Sequence, residues 1–344
     1  MATNTHISVH GAPRRCIFFV LAAVVIALGL SKGSSLSLAS GRVEASASYN
    51  WPVKPFDRQH AVRGGFGDPR TIFNAAPTLQ GVLSGGGDFE LHRGIDISAP
   101  NGTSVYPVMS GTVTVVNRTD LWVKVDSRGG HSFEYWHINS AVRVGDSVEA
   151  QRTVLGHIVR PAAHVHLTEL DNGEYVNPLA PGHLGPYEDH TTPRVTSISF
   201  RTSETGRDQL PNRISGRVLV VAGAEDDPTM SAPKAWHGLP VTPALVTWEI
   251  RSLGGRVVRK RQVAADFRSR LPHRTLWQIY ARGTYQNMTV LGHHYSWAQP
   301  GSYLFRLADF NTHALRNGAY DLVVTATDIR GNSSSLTRRF AVEN

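Results

Sequence analysis

From Trp51 to about Leu179 the chain alternates short runs of apolar and polar residues with Gly-rich turns. Period-two alternation places every second side chain on one face, the signature of half-buried strands. Turn residues cluster at Pro181-Gly-His-Leu-Gly-Pro186 and at Thr191-Thr-Pro193, which marks a boundary. Beyond it the alternation resumes over Arg194–Phe200, Arg217–Gly223, Ala244–Leu253, Arg256–Phe267, Ser302–Leu307, Tyr320–Asp328 and Leu336–Val342. Such spacing predicts a β-sandwich. No helical period is sustained after residue 50, and no repeat of 20–50 residues recurs. The pattern therefore predicts an all-β chain, with one domain over 51–185 and a β-sandwich over 191–344.

The N-terminus reads differently. Arg14 and Arg15 precede an apolar run from Ile17 to Leu30, followed by Lys32 and a Ser/Ala/Gly-rich stretch. This is the order of a secretory signal. The run reaches about 21 Å as a helix, short of the ~30 Å core of a bilayer. The expectation is a signal peptide over 1–39, with a membrane anchor as the alternative, and a linker over 40–50. Small-x-small cleavage sites occur at Ser37-Leu38-Ala39 and Ala45-Ser46-Ala47. The protein is accordingly expected outside the cytoplasm, secreted or held at the cell envelope, and at a membrane only if this segment stays uncleaved.

Composition narrows the chemistry. The chain has 344 residues and a single cysteine, Cys16, so no intramolecular disulfide or cysteine-based metal site can form. A metal must be held by carboxylates and by the 16 histidines. The net charge of +8 is unevenly spread. Residues 48–190 hold 11 basic and 15 acidic side chains, whereas 191–344 hold 20 basic and 11 acidic. The second half is either a solvated basic face or a surface for an anionic polymer. A secretion signal and the lack of any nucleic-acid motif exclude nucleic acid and favour a cell-envelope polymer.

Four segments can carry chemistry: Arg63-Gly-Gly-Phe-Gly-Asp-Pro-Arg70, Leu91-His-Arg-Gly-Ile-Asp-Ile97, Phe133-Glu-Tyr-Trp-His-Ile138 and Ala163-His-Val-His-Leu167. As bare spacings, His-x-x-x-Asp and His-x-His each arise by chance on the order of once in such a chain. His164 and His166 are two apart in a strand-like run, so their imidazoles share a face. That suits a metal ligand with a working neighbour, and equally two incidental histidines on a half-exposed strand. His92 and Asp96 form a zinc-compatible pair in a turn entering a strand, or a surface ion pair. His131, Phe133, Tyr135 and His137 alternate onto one face. This puts His137 at a strand end, as a general acid or base or as a hydrogen-bonded core-edge residue.

Order and context join the segments. Ala99-Pro-Asn-Gly-Thr-Ser-Val-Tyr-Pro-Val-Met-Ser-Gly-Thr-Val113 follows the first pair, Val144-Gly-Asp-Ser-Val148 follows His137, and Asn172-Gly-Glu-Tyr-Val-Asn-Pro178 follows His166. Over about residues 60–180 the chain resembles the lysostaphin-type (LytM-like) zinc endopeptidases that cut bacterial peptidoglycan. The resemblance implies a mostly antiparallel β peptidase domain. It also implies His92, Asp96 and His166 as ligands of Zn2+, and His137 and His164 as the catalytic histidine pair. Two His and one Asp leave a fourth zinc position open for water, as catalytic sites require. Arg63–Arg70 resembles the family's opening Gly-Phe-Gly-x-x-Arg phrase and reads as a structural tight turn beside the cleft, or as a substrate contact.

The sequence departs from the family pattern in places. Leu155–Ala163, before His-x-His, is short and poor in glycine, and Thr168 stands where a glutamate is usual. No tyrosine lies between Asp68 and Leu91. The first two departures favour an alternative, a non-catalytic cell-wall-binding or regulatory protein on the same fold. His157 reads as a surface histidine. In the second half, Gly318–Asn332 resembles the closing hairpin of bacterial immunoglobulin-like modules, with Tyr320 as a tyrosine corner. Glu225-Asp226-Asp227 reads as a charged turn or a calcium ligand set, and His293-His294 as an exposed loop pair. The expectation is a zinc metallo-endopeptidase with a peptidoglycan-directed, immunoglobulin-like second domain.

Overall fold

The computed structural model describes residues 49–72, 88–289 and 298–344. The segment expected to be a signal at 1–39, the expected linker up to residue 48 and His293-His294 lie outside them. Among the described residues no helix is long and apolar enough to cross a membrane.

Alternation builds the first sheet: β1 (Val62–Gly64), β2 (Ile95–Ser98), β3 (Gly111–Asn117), β4 (Trp122–Ser127), β5 (His131–Trp136), β6 (Ser147–Val148), β7 (His164–Asp171) and β8 (Glu174–Val176). The order is β1-β2-β7-β5-β4-β3-β6, with β8 beside β7, and every pairing is antiparallel. One face is apolar: Ile95, Ile97, Val113, Val123, Val125, Phe133, Tyr135, Val165 and Leu167 are fully buried. Each such side chain contributes roughly 1.5–3 kcal/mol on burial, which fixes the register. A slip of one residue in β7 would turn Val165 and Leu167 outward and the two histidines inward. Two short strands, Pro69–Ile72 and Asp88–Leu91, pair next to the sheet.

All seven runs expected beyond the boundary are strands. β9 (Arg194–Thr202), β10 (Asp208–Gln209), β11 (Arg217–Glu225) and β14 (Leu304–Asn311) form one antiparallel sheet in the order β10-β9-β11-β14. β12 (Leu245–Ser252), β13 (Val257–Asp266), β15 (Gly318–Thr327) and β16 (Ser333–Val342) form the other, in the order β13-β12-β15-β16. Val218, Val220, Val246, Ile250, Phe305, Val324 and Phe340 belong to the shared core. The Tyr320 hydroxyl donates to the Arg316 carbonyl at 2.8 Å, the bond a tyrosine corner makes.

The described residues, from Tyr49 to Asn344, belong to one compact unit. Asn177 ties the two sets of sheets: its Nδ2 donates to the Phe267 carbonyl at 2.8 Å and its amide to the Ser269 carbonyl at 2.7 Å. Arg330 donates to the carbonyls of Tyr187 and Leu179, both at 3.0 Å.

Candidate active site

The polar face of the first sheet carries the site. Asp96 on β2, His166 on β7, Trp136 on β5 and Trp122 on β4 lie directly opposite one another in register. One row across four strands thus presents a carboxylate, an imidazole and two indoles. The indoles stack at 4.8 Å and 15°, and the edge of the row meets His166 through Trp136 at 6.4 Å. His92 enters from the end of Asp88–Leu91 and is buried.

Three donor atoms converge. His92 Nε2 is 2.7 Å from His166 Nδ1, and Asp96 Oδ1 is 3.2 Å from each. With zinc bonds of about 2.1 Å, a tetrahedral edge is about 3.4 Å, so the triangle fits a zinc face after a small expansion. The other ring nitrogens set the tautomers. His92 Nδ1 donates to the Gly65 carbonyl at 2.7 Å, leaving the Nε2 lone pair facing Asp96. His166 Nε2 donates to Thr168 Oγ1 at 2.7 Å, leaving the Nδ1 lone pair facing the same point. Metal-bound histidines characteristically have this second hydrogen bond. Burial and the Arg70 charge push His92 down to about 3, so it is neutral and ligand-competent. Burial opposes ionisation of Asp96, yet the Arg70 guanidinium helps hold its carboxyl well below the usual range.

Arg70 organises this triad. Its Nη2 donates to Asp96 Oδ2 at 2.6 Å, which leaves Oδ1 for the centre. The approach is so close that a Cβ on Gly64 would stand 2.5 Å from both Arg70 Nη2 and Asp96 Oδ2. Only glycine fits there.

His137 and His164 stand beside the triad with ring centroids 4.5 Å apart. His164 Nε2 is 3.5 Å from Asp96 Oδ1. Here one expectation is corrected. Phe133 and Tyr135 turn into the core, but His137 does not share their face. It follows β5 with a left-handed φ of 66°, which breaks the alternation and brings its ring against His164. Burial, then neighbouring His164, lowers His137 to about 3. Burial also lowers His164, with Arg63 adding to it and Asp96 opposing. Arg63 Nη2 lies 2.6 Å from His164 Nδ1 and donates to the Ala162 carbonyl at 3.0 Å.

The second half of the chain holds the segment that carries both arginines. The Arg63 guanidinium stacks 4.3 Å over the ring of Trp236. Buried Asp68 accepts from the amides of Gly65 at 2.9 Å and Thr242 at 2.8 Å. The Tyr280 hydroxyl donates to the Gly67 carbonyl at 2.9 Å. Gly67 itself has φ 87° and faces the Phe267 ring, where a Cβ would fall at 2.5 Å.

The five residues singled out in the sequence, His92, Asp96, His137, His164 and His166, thus meet at one place. His157 is exposed on the strand Gly156–Ile158. Arg63, Arg70 and Trp236 were not assigned to the site. The Gly-Phe-Gly phrase signalled the arginines, but nothing local in the sequence signals Trp236.

Residues 90–178 match the model of Peptidase family M23, which bears out over this segment the resemblance read from the motifs. No curated protein matches the chain. Among solved structures, the catalytic domain of the antimicrobial peptidase lysostaphin from Staphylococcus simulans is 25% identical, over 24% of this chain and 68% of that one, at a TM-score of 0.22. A zinc-containing peptidase from Vibrio cholerae is 24% identical, over 36% of this chain and 37% of that one, at 0.28. Pseudoalterin, an M23 metalloprotease from the deep sea, is 18% identical, over 43% and 84%, at 0.27.

Proposed function

We propose that the protein is a secreted zinc metallo-endopeptidase that hydrolyses peptide bonds of bacterial peptidoglycan. The observation that carries this is the convergence of three ligand-competent atoms of His92, Asp96 and His166 beside two neutral imidazoles. Zinc bound there would acidify a water and polarise the scissile carbonyl. His137 and His164 present neutral rings beside that centre. One accepts the proton of the attacking water and returns it to the leaving amine; the other donates to the developing oxyanion. Arg63 orients His164, and Arg70 orients Asp96. The stacked indoles of Trp122 and Trp136 form an apolar wall for the substrate chain.

The second half fits a module that holds the enzyme to an anionic envelope polymer. Its edge strands β13 and β16 carry Lys260, Arg261, Arg338 and Arg339 outward. An open groove is lined by His273, Arg274, Trp277, Arg306 and Asp309, joining two guanidinium groups and an aromatic face with one carboxylate. The test uses purified sacculi: zinc-loaded protein releases free amines, and His137→Ala and chelation each abolish release. Binding of sacculi without release, at full zinc occupancy, would support the alternative of a non-catalytic wall-binding or regulatory protein. Thr168 in place of a carboxylate is the observation that favours that alternative.

A further inference from the structure

Three carboxylates meet at the junction of the two halves. Asp189 precedes β9, Asp226 follows β11 and Asp328 follows β15. Their exposures are 4%, 6% and 1%, and their ligand oxygens all lie within 4.8 Å of one another. Two of them are well supplied with donors. Asp189 Oδ1 accepts from the hydroxyls of Thr191 and Thr229, both at 2.7 Å, and its Oδ2 from the Tyr187 hydroxyl at 3.4 Å. Asp328 Oδ1 accepts from the amides of Arg330 and Asn332 at 2.8 and 2.9 Å, and its Oδ2 from Asn332 Nδ2 at 2.6 Å. Asp226 differs. Its Oδ1 is buried and meets no donor among the described residues. Its backbone is fixed by a reciprocal pair with Val241, at 2.9 and 2.7 Å.

A buried carboxylate facing two others requires a positive partner or a proton. Two guanidinium groups lie nearby. Arg194 pairs with Glu225 and Asp227 at the exposed rim. Arg330 donates to two carbonyls and stacks 5.1 Å over Tyr187. We infer that Asp189, Asp226 and Asp328 form a second metal site, distinct from the histidine centre, for a divalent cation of the calcium class. Three hard oxygen donors and no imidazole select such an ion over zinc. Calcium sheds its water more readily than magnesium, which suits a caged site. Burial and the like charges of Asp189 and Asp328 push the Asp226 carboxyl up to about 8 without a cation. The ion relieves that repulsion and pins Asp189, at the end of the first half, to two strand ends of the second.

The test is terbium luminescence on the full chain, purified without calcium and loaded with zinc. Tyr187 lies beside the site and serves as the antenna. The expected result is sensitised emission that calcium displaces with a midpoint of about 0.1–1 mM, magnesium displacing it far less. Calcium at ten times that midpoint raises the melting temperature by about 3 °C, and Asp226→Asn removes both effects. Absence of calcium retention and of any melting shift in the unmutated protein would overturn the inference, whether or not the variant folds. So would an Asp226→Asn protein that melts higher than the parent while the parent ignores calcium, because the cluster would then hold a proton.

Discussion

Oδ2 of Asp96 accepts a hydrogen bond from Nη2 of Arg70 at 2.6 Å, and the same guanidinium lies 2.9 Å from Nδ1 of His92. One arginine thus touches two of the three proposed ligands, from the side away from the point where their other atoms converge. It neutralises one oxygen of the carboxylate and directs the other inward.

Arg70→Ala is expected to weaken zinc binding by about 10–100-fold, the usual cost of losing a group that orients a ligand. Competition against a zinc-binding dye measures it. Unchanged affinity would show that Asp96 holds its position without help.

Thr168 is buried and supplies the acceptor for His166 Nε2–H. Thr168→Val keeps the shape and removes the acceptor, leaving a buried N–H unpaired at about 1–3 kcal/mol. Zinc affinity should fall about tenfold, with the fold intact by circular dichroism. An affinity equal to the parent's would mean that the hydroxyl does not set the His166 tautomer.

Trp236 lies far from the motif segments in sequence, yet its ring covers Arg63, which contacts His164. Loss of the stack in Trp236→Ala is worth about 0.5–2 kcal/mol. The expected signature is a lower kcat on a peptide substrate with zinc content unchanged. A change in KM alone would instead mark Trp236 as a substrate contact.

The acidic junction gives a pH dependence in calcium-free buffer. The Asp226 carboxyl is raised to about 8 in the folded protein, from 3.8 as its ordinary value. The groups facing it are Asp189, Asp328 and Asp227, with Arg194 paired to Asp227. A raised pKa means that the folded state binds the proton more tightly than the unfolded one. Its contribution to stability is therefore complete below about pH 4 and is lost as pH rises through 8. Asp226→Asn should gain on the parent steadily across that range in urea melts. A constant difference between the two proteins would show that Asp226 does not titrate there.

Local features of the site are legible in the sequence. His164 and His166 are two apart on β7, so strand geometry alone puts them on one face, and the buried Val165 and Leu167 confirm which face. Non-local geometry is not legible there. Alternation puts His137 with Phe133 and Tyr135, but a single left-handed residue reverses its direction. Arg70 meets Asp96 only because the strands around them pair, and Trp236 meets Arg63 only because the second half packs on the first. Asp189, Asp226 and Asp328 are equally scattered. In the sequence only the Glu225-Asp226-Asp227 run stands out, as a charged turn or calcium ligand set, and two of the three carboxylates that meet lie elsewhere.

The central claim is that three convergent ligand atoms and a neutral histidine pair make a peptide-cleaving centre. The most direct measurement is release of new amines from purified sacculi by the zinc-loaded chain, with zinc content determined on the same sample. The account predicts about one zinc per chain and steady release, abolished both by chelation and by His137→Ala with zinc retained. Full zinc occupancy with no release would contradict it, and release that survives loss of His137 would contradict the role given to the histidine pair.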